Sequence, residues 1–211
     1  MTKIKICGLT RQEDIEAVNR YLPDYIGFVF VSKSRRFLEP GRAAVLKEQL
    51  SPKIRAVGVF ANEDKELIAD LIKQRVIDMA QLHGQEDEDE IRWIQAKTGQ
   101  PVIKAVSVKG RPDLVRSVGS CADFLLFDHG TGGTGNTFDW NLLSGCVKPY
   151  FLAGGVHIGN LPEALSKGAY AVDISSGVET DGRKDARKIE AVINKIRALS
   201  TDYVKVQNMP E

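Results

Sequence analysis

Histidine and cysteine are scarce in this chain, and the scarcity narrows its chemistry. Its 211 residues include three histidines, at 83, 129 and 157, and three cysteines, Cys7, Cys121 and Cys146. No close metal-ligand spacing occurs among them, which argues against a metal site. An odd number of widely spaced cysteines also argues against a disulfide framework and suits reduced thiols in the cytoplasm. Charge of one sign is missing as well. The 29 Lys and Arg against 28 Asp and Glu leave a net charge of +1, so there is no electrostatic case for nucleic acid or an anionic membrane. No apolar run approaches the roughly 20 residues needed to span a bilayer. The apolar part of "MTKIKICGLT" is too short for a secretory signal. No linker or low-complexity stretch interrupts the chain. With 43% hydrophobic residues it is expected to form one domain over residues 1–211 around a sizeable core.

What is present is a regular alternation. "KIKIC" (3–7), "YIGFVF" (25–30), "IRAVGVF" (54–60), "VIDMAQLH" (76–83), "PVIKAVSV" (101–108), "ADFLLFD" (122–128), "PYFLAGG" (149–155) and "AYAVDISS" (169–176) read as strands. Each is followed by a helix-period or short polar segment. Thr10 and Glu13 form a capping-box pattern, and Ile15, Val18 and Leu22 mark a helical face behind it. Asn62 is a good N-cap for a stripe of Leu67, Ile68, Leu71 and Ile72. "EDEDE" (86–90) suits a solvated helix start, and Gly99 suits its C-terminal cap. Ile189, Val192, Ile193 and Ile196 define the inner face of a last helix. Eight strand-then-helix units predict parallel strands with crossover helices, and hence an α/β single-domain (β/α)8 TIM barrel. An open doubly wound sheet is the alternative.

In such a barrel the chemistry sits at the C-terminal strand ends. Those positions hold Cys7, the Ser32–Arg36 segment, His83, Asp128, Gly154-Gly155 and Ser175-Ser176-Gly177. Arg35 and Arg36 adjoin, so one of them is expected to face solvent. "LAGGV" and "DISSGV" end the last two strands. Each is either a phosphate cradle, since glycine lets backbone N–H groups approach an anion, or a plain strand-to-helix turn. Their pairing after the seventh and eighth strands favours phosphate. "GTGGTG" (130–135) matches G-x-G-x-x-G in form. The place ~20 residues on, where a dinucleotide site has an acidic residue, holds Gly155, so a mobile loop over the site is the better expectation. Lys104 and Asp173 lie within strands and need partners or a ligand. Cys121, Cys146, Trp93 and Trp140 are expected to be packing residues.

Taken in order, "KICGLT", "GFVF" with "SKSRR", "GVFANE", "QLHG", "GGTGNTFDW", "LAGGV" and "DISSGVE" resemble phosphoribosylanthranilate isomerase along almost the whole chain. The resemblance implies conversion of N-(5-phosphoribosyl)anthranilate to 1-(2-carboxyphenylamino)-1-deoxyribulose 5-phosphate, an Amadori rearrangement in tryptophan biosynthesis that uses no cofactor. It further implies Cys7 as general base, Asp128 as general acid and Arg36 as the holder of the anthranilate carboxylate. The glycines and serines of the last two loops, Gly154, Gly155, Ser175, Ser176 and Gly177, would hold the phosphate. His83 is expected to line the pocket. The partner is a small phosphorylated substrate, and the chain is expected to be a monomer or homodimer. Two rivals stay open: another sugar-phosphate isomerase or epimerase barrel, and a non-catalytic phosphate-binding barrel.

Overall fold

A computed structural model of the chain describes residues 1–130 and 137–207. Eight parallel strands close on themselves in chain order: β1 (Lys3–Cys7), β2 (Tyr25–Val29), β3 (Arg55–Phe60), β4 (Met79–Leu82), β5 (Val102–Ser107), β6 (Phe124–Asp128), β7 (Tyr150–Leu152) and β8 (Ala171–Ile174). The open-sheet alternative is excluded by the seam, where β1 pairs with β8 through Ile4↔Val172 and Ile6↔Ile174. Around the barrel run α1 (Gln12–Tyr21), α2 (Pro40–Glu48), α3 (Lys65–Lys73), α4 (Glu88–Thr98), α5 (Arg111–Ser117), α6 (Leu161–Ser166) and α7 (Ala186–Gln207). A short 3-10 turn (Trp140–Leu143) replaces the helix after β6. A two-stranded ribbon, β9 (Glu179–Thr180) and β10 (Arg183–Lys184), intervenes between β8 and α7.

The barrel strands are largely buried on both faces, which is why they read as near-continuous apolar runs. The outward set, including Ile4, Ile6, Ile26, Phe28, Ala56 and Phe60, packs under the helices. The inward set, including Tyr25, Val57, Met79, Ile103, Leu126 and Phe151, fills the barrel. Helix α7 buries Ile189, Val192, Ile193 and Ile196 as its periodicity predicts. Gly99 ends α4 in the left-handed conformation, with φ 65.

Several local expectations need correction. Helix α1 is capped through Asp14, whose Oδ2 accepts from the N–H groups of Thr10 (2.9 Å) and Arg11 (3.0 Å), not through Thr10 and Glu13. Helix α3 begins behind Asp64, which accepts from Glu66 N. Asn62 instead accepts from Gln85 N across the barrel rim. Leu67 lies exposed, outside the buried stripe. The fourth strand starts at Met79, because the N–H groups of Val76 and Ile77 both donate to Leu71 O and close the end of α3. The eighth ends at Ile174, where Ser176–Val178 turn into a 3-10 helix. The acidic run is not wholly solvated. Glu86 is buried, bonded to Lys104 Nζ at 2.7 Å and to the N–H groups of Asn62 and Gly84.

Candidate active site

Side chains alternate along a strand, so residues two apart share a face. On β1 that rule sends Lys5 and Cys7 into the barrel together. On β4 it selects Gln81 and, just past the strand, His83. On β6 it selects Leu126 and Asp128, and on β8 Asp173 and, just beyond, Ser175. The C-terminal strand ends therefore converge on one cavity of about 1530 Å³. Its walls include Cys7, Arg36, His83, Asp128, Gly154, Gly155, Ser175 and Ser176. Gly177 is the exception among the site residues expected from the sequence. It packs against the Val156 carbonyl, where a Cβ would collide, and so joins the β7 and β8 loops without facing the cavity.

Cys7 is buried beside Gly27 of β2, and the two are register partners. A Cβ on Gly27 would stand 2.5 Å from the Cys7 sulfur, so the absent side chain makes the space the thiol occupies. Burial pushes the Cys7 thiol above its usual range, and Lys5 pulls it back. Asp128 ends β6 with Oδ1 accepting from His129 N at 2.7 Å. Burial raises this carboxyl, against the opposing pull of His83. His83 Nε2 stands 3.8 Å from Asp128 Oδ2. Burial lowers the imidazole more than Asp128 raises it, so at neutral pH this contact joins a neutral ring to the carboxyl and is no ion pair.

The barrel interior below these groups holds a polar chain the sequence reading missed. Lys5 Nζ donates to Asp173 Oδ2 at 2.8 Å and to Gln81 Oε1 at 2.9 Å. Gln81 Nε2 in turn lies 3.1 Å from His83 Nδ1. Asp173 and Asp128 are thus connected through Lys5, Gln81 and His83. Asp173 finds its partner in Lys5, and Lys104 finds one in Glu86.

Arg36 is buried and holds Glu179 with two hydrogen bonds, Nε to Oε1 at 2.7 Å and Nη2 to Oε2 at 2.9 Å. Arg35 is the exposed neighbour, as expected, yet it reaches the same carboxylate at 3.0 Å. Lys184 adds a third cation to Glu179 at 2.7 Å. Burial works against the Glu179 carboxylate, but Arg36 and Lys184 prevail and hold it below its usual range. The Ser175 hydroxyl is already engaged, donating to Cys7 O at 3.0 Å. Gly154 and Gly155 both have positive φ, 75 and 71, a conformation that favours glycine. Among the described residues their N–H groups have no protein acceptor, which leaves them able to bind an anion. Of the "GTGGTG" segment, residues 131–135 lie outside the described residues. Among the described residues no group of three or more His, Cys, Asp or Glu could hold a metal ion.

The family model for N-(5'-phosphoribosyl)anthranilate isomerase matches residues 4–195. The chain belongs to the phosphoribosylanthranilate isomerase family. It is 44% identical over 204 residues to the N-(5'-phosphoribosyl)anthranilate isomerase of Endomicrobium trichonymphae, covering 94% of this chain and 100% of that one. The crystal structure of the Thermus thermophilus phosphoribosylanthranilate isomerase superposes with a TM-score of 0.86 at 32% identity, over 94% of this chain and 100% of the other. A further phosphoribosylanthranilate isomerase, solved in complex with reduced 1-(o-carboxyphenylamino)-1-deoxyribulose 5-phosphate, gives 0.82 at 33% identity over the same shares. The TIM barrel, the isomerase class and the family expected from the motifs all stand. Trp140 is buried in the core, and half-buried Trp93, Cys121 and Cys146 pack against it, Trp93 beneath Lys65 and Lys97.

Proposed function

We propose that this isomerase of tryptophan biosynthesis converts N-(5-phosphoribosyl)anthranilate to 1-(2-carboxyphenylamino)-1-deoxyribulose 5-phosphate with Cys7 as proton acceptor and Asp128 as proton donor. The single observation that supports these roles best is the pairing itself. A thiol and a carboxyl line one cavity, and burial raises the carboxyl so that it can hold a proton.

The raised carboxyl fits the first step. When the ribofuranose ring opens to the Schiff base, the departing ring oxygen takes the Asp128 proton. A free aspartic acid, with a pKa of about 3.9, would already have lost it at neutral pH. The thiolate of Cys7 then removes the proton from C2 of the sugar, and the electron pair moves to the imine nitrogen to form an enolamine. Tautomerisation of the enolamine yields the aminoketone. No electron leaves the substrate, because C1 is reduced as C2 is oxidised.

The binding groups divide by charge. The Arg36 guanidinium faces the cavity for the anthranilate carboxylate, with Glu179 fixing its plane. The free amides of Gly154 and Gly155, with Ser176, take the phosphate. Gly177 supports that cradle by bringing the two loops together. The ligand is the small phosphorylated molecule and not nucleic acid, since the net charge of +1 supplies no polyanion field. Three free cysteines suit the cytoplasm. Among the described residues no helix is long and apolar enough to cross a membrane. The barrel serves as one domain.

The test is turnover of N-(5-phosphoribosyl)anthranilate by the purified chain, with and without chelator, and rescue of a tryptophan auxotroph lacking this step. Chelator-insensitive turnover and rescue are expected. Turnover of other phosphosugars in preference, or binding without turnover by folded protein, would favour the rival barrels.

A further inference from the structure

A buried ammonium decides, two side chains away, where a histidine carries its proton. Lys5 Nζ can only donate, and it donates to Asp173 Oδ2 at 2.8 Å and to Gln81 Oε1 at 2.9 Å. That fixes the two ends of the Gln81 carboxamide, with the oxygen toward Lys5 and the nitrogen toward His83 Nδ1 at 3.1 Å. An amide nitrogen donates and does not accept. His83 Nδ1 must therefore offer a lone pair, and the proton of the neutral ring sits on Nε2. Gln81 is 2% exposed, so solvent does not compete for either contact.

Protonating the ring would set an Nδ1–H against the Gln81 N–H, two donors face to face in a buried place. Burial of the ring works in the same direction and holds it below the usual histidine range. Of the charged groups around the ring, Asp128 on β6, Asp173 on β8 and Glu86 in the loop after β4 favour the imidazolium, and Lys5 on β1 opposes it. Asp173 is neutralised by Lys5 at 2.8 Å and Glu86 by Lys104 at 2.7 Å. That leaves Asp128, which burial raises toward its neutral form.

Nε2 is also the nitrogen that stands by Asp128. It lies 3.8 Å from Oδ2, beyond hydrogen-bond length in the free enzyme, while Oδ1 accepts from His129 N at 2.7 Å. When Asp128 passes its proton to the departing ring oxygen, a carboxylate is left in a buried setting. A donor already beside it needs no reorganisation at that moment. The opposite tautomer would turn a lone pair toward the new charge. We propose that Gln81 is a positioning residue for the isomerisation: anchored by Lys5, it locks His83 as the neutral Nε2–H tautomer, whose N–H stabilises the Asp128 carboxylate as the proton leaves. The inference rests on Asp128 as the proton donor, but its first readout, the tautomer of the free enzyme, does not.

The experiment labels histidine with nitrogen-15 and reads the ring nitrogens by NMR, His83 being assigned by the signals lost in His83→Gln. In the parent, Nε2 is expected to carry the proton and Nδ1 to stay bare from about pH 5 to 8. Gln81→Glu keeps an oxygen for Lys5 but sets a carboxylate oxygen against Nδ1. Nδ1 is then expected to gain a proton, with kcat falling about 10²-fold and KM nearly unchanged. Gln81→Met, close in shape and without a donor for Nδ1, is the second variant where the first folds poorly. Its ring is expected to exchange between tautomers, with kcat down about tenfold. A parent ring with its proton on Nδ1, or charged at neutral pH, overturns the proposal. So does a fall in kcat with the Nε2–H tautomer retained in the folded variants, because Gln81 is then merely structural, and so does a changed tautomer with kcat intact. Turnover retained by Asp128→Asn would instead remove Asp128 as the proton donor and leave the tautomer lock standing.

Discussion

The floor and the mouth of the barrel are built from the same strands, two inward positions apart, and they behave as opposites. At the floor Tyr25, Phe124, Phe151 and Tyr170 form a ring cluster, with centroids 5.5 Å apart for Tyr25–Phe151 and 4.8 Å for Phe124–Tyr170. The polar atoms there satisfy each other, Tyr25 Oη meeting Tyr170 Oη at 2.8 Å. At the mouth the same strands present Cys7, His83, Asp128 and Ser175. Phe124 leads to Leu126 and then Asp128, and Ala171 leads to Asp173 and then Ser175. The floor spends its inward positions on dispersion and closed hydrogen bonds. The mouth retains shifted ionisable groups and unpaired amides, which lend nothing to stability but can act on a ligand.

Substitutions should therefore separate the two ends. Cys7→Ser and Asp128→Asn are each expected to lower kcat by about 10²–10⁴-fold, measured on purified protein, with no loss of thermal stability. For Asp128→Asn the Tm should rise at neutral pH. The carboxyl is raised in the fold, so its ionisation disfavours the folded state, and the parent loses stability as pH climbs through that titration. The Tm advantage should shrink as the pH falls and the carboxyl takes up its proton; an advantage that grows instead would reverse the sign of the shift. At the floor, Phe151→Ala should remove about 3–5 kcal/mol of stability in denaturant titrations. Its kcat per folded molecule should match the parent.

Gly27→Ala lies at the border between the regions. The added methyl must displace the Cys7 sulfur, and a shift of that kind is expected to lower kcat about 10²-fold, with a stability loss of about 1–3 kcal/mol. Full activity would mean the sulfur's position is not critical. Glu179→Gln should have the smallest effect, a rise in KM of about fivefold, corresponding to one orienting hydrogen bond, with kcat nearly unchanged. A fall in kcat without a change in KM would place Glu179 in the chemistry.

Much of this architecture was legible beforehand. Strands buried on both faces announce themselves as apolar runs, and the eight-fold alternation left few topologies. The strand-end positions of Cys7, His83 and Asp128 followed from the same alternation. Helix starts were less legible. Thr10 and Asp14 at α1, and Asn62 and Asp64 at α3, are competent caps within a few residues of each other, and local preference cannot choose within either pair. Lys5 was within reach, because an inward Cys7 on a strand requires an inward residue at position 5, yet its charge disguised it. Glu86 was hidden in an acidic run, and only its contact with Lys104 on the next strand distinguishes it from its solvated neighbours.

The order of residues alone determined the eight strand-then-helix units, the inward and outward faces, and which side chains stand at the strand ends, since these depend on periodicity and burial over short stretches; closure into a barrel was decided by the pairing of β1 with β8. Tertiary structure decided the electrostatics. Glu179 and Lys184 come back over Arg36 by way of the turn after β8, Asp173 and Gln81 meet Lys5 from strands on either side of the barrel, and Gly27 empties the space beside Cys7. Ionisation in an interior depends on distances of a few ångströms between groups far apart in the chain, and those distances exist only once the barrel has closed.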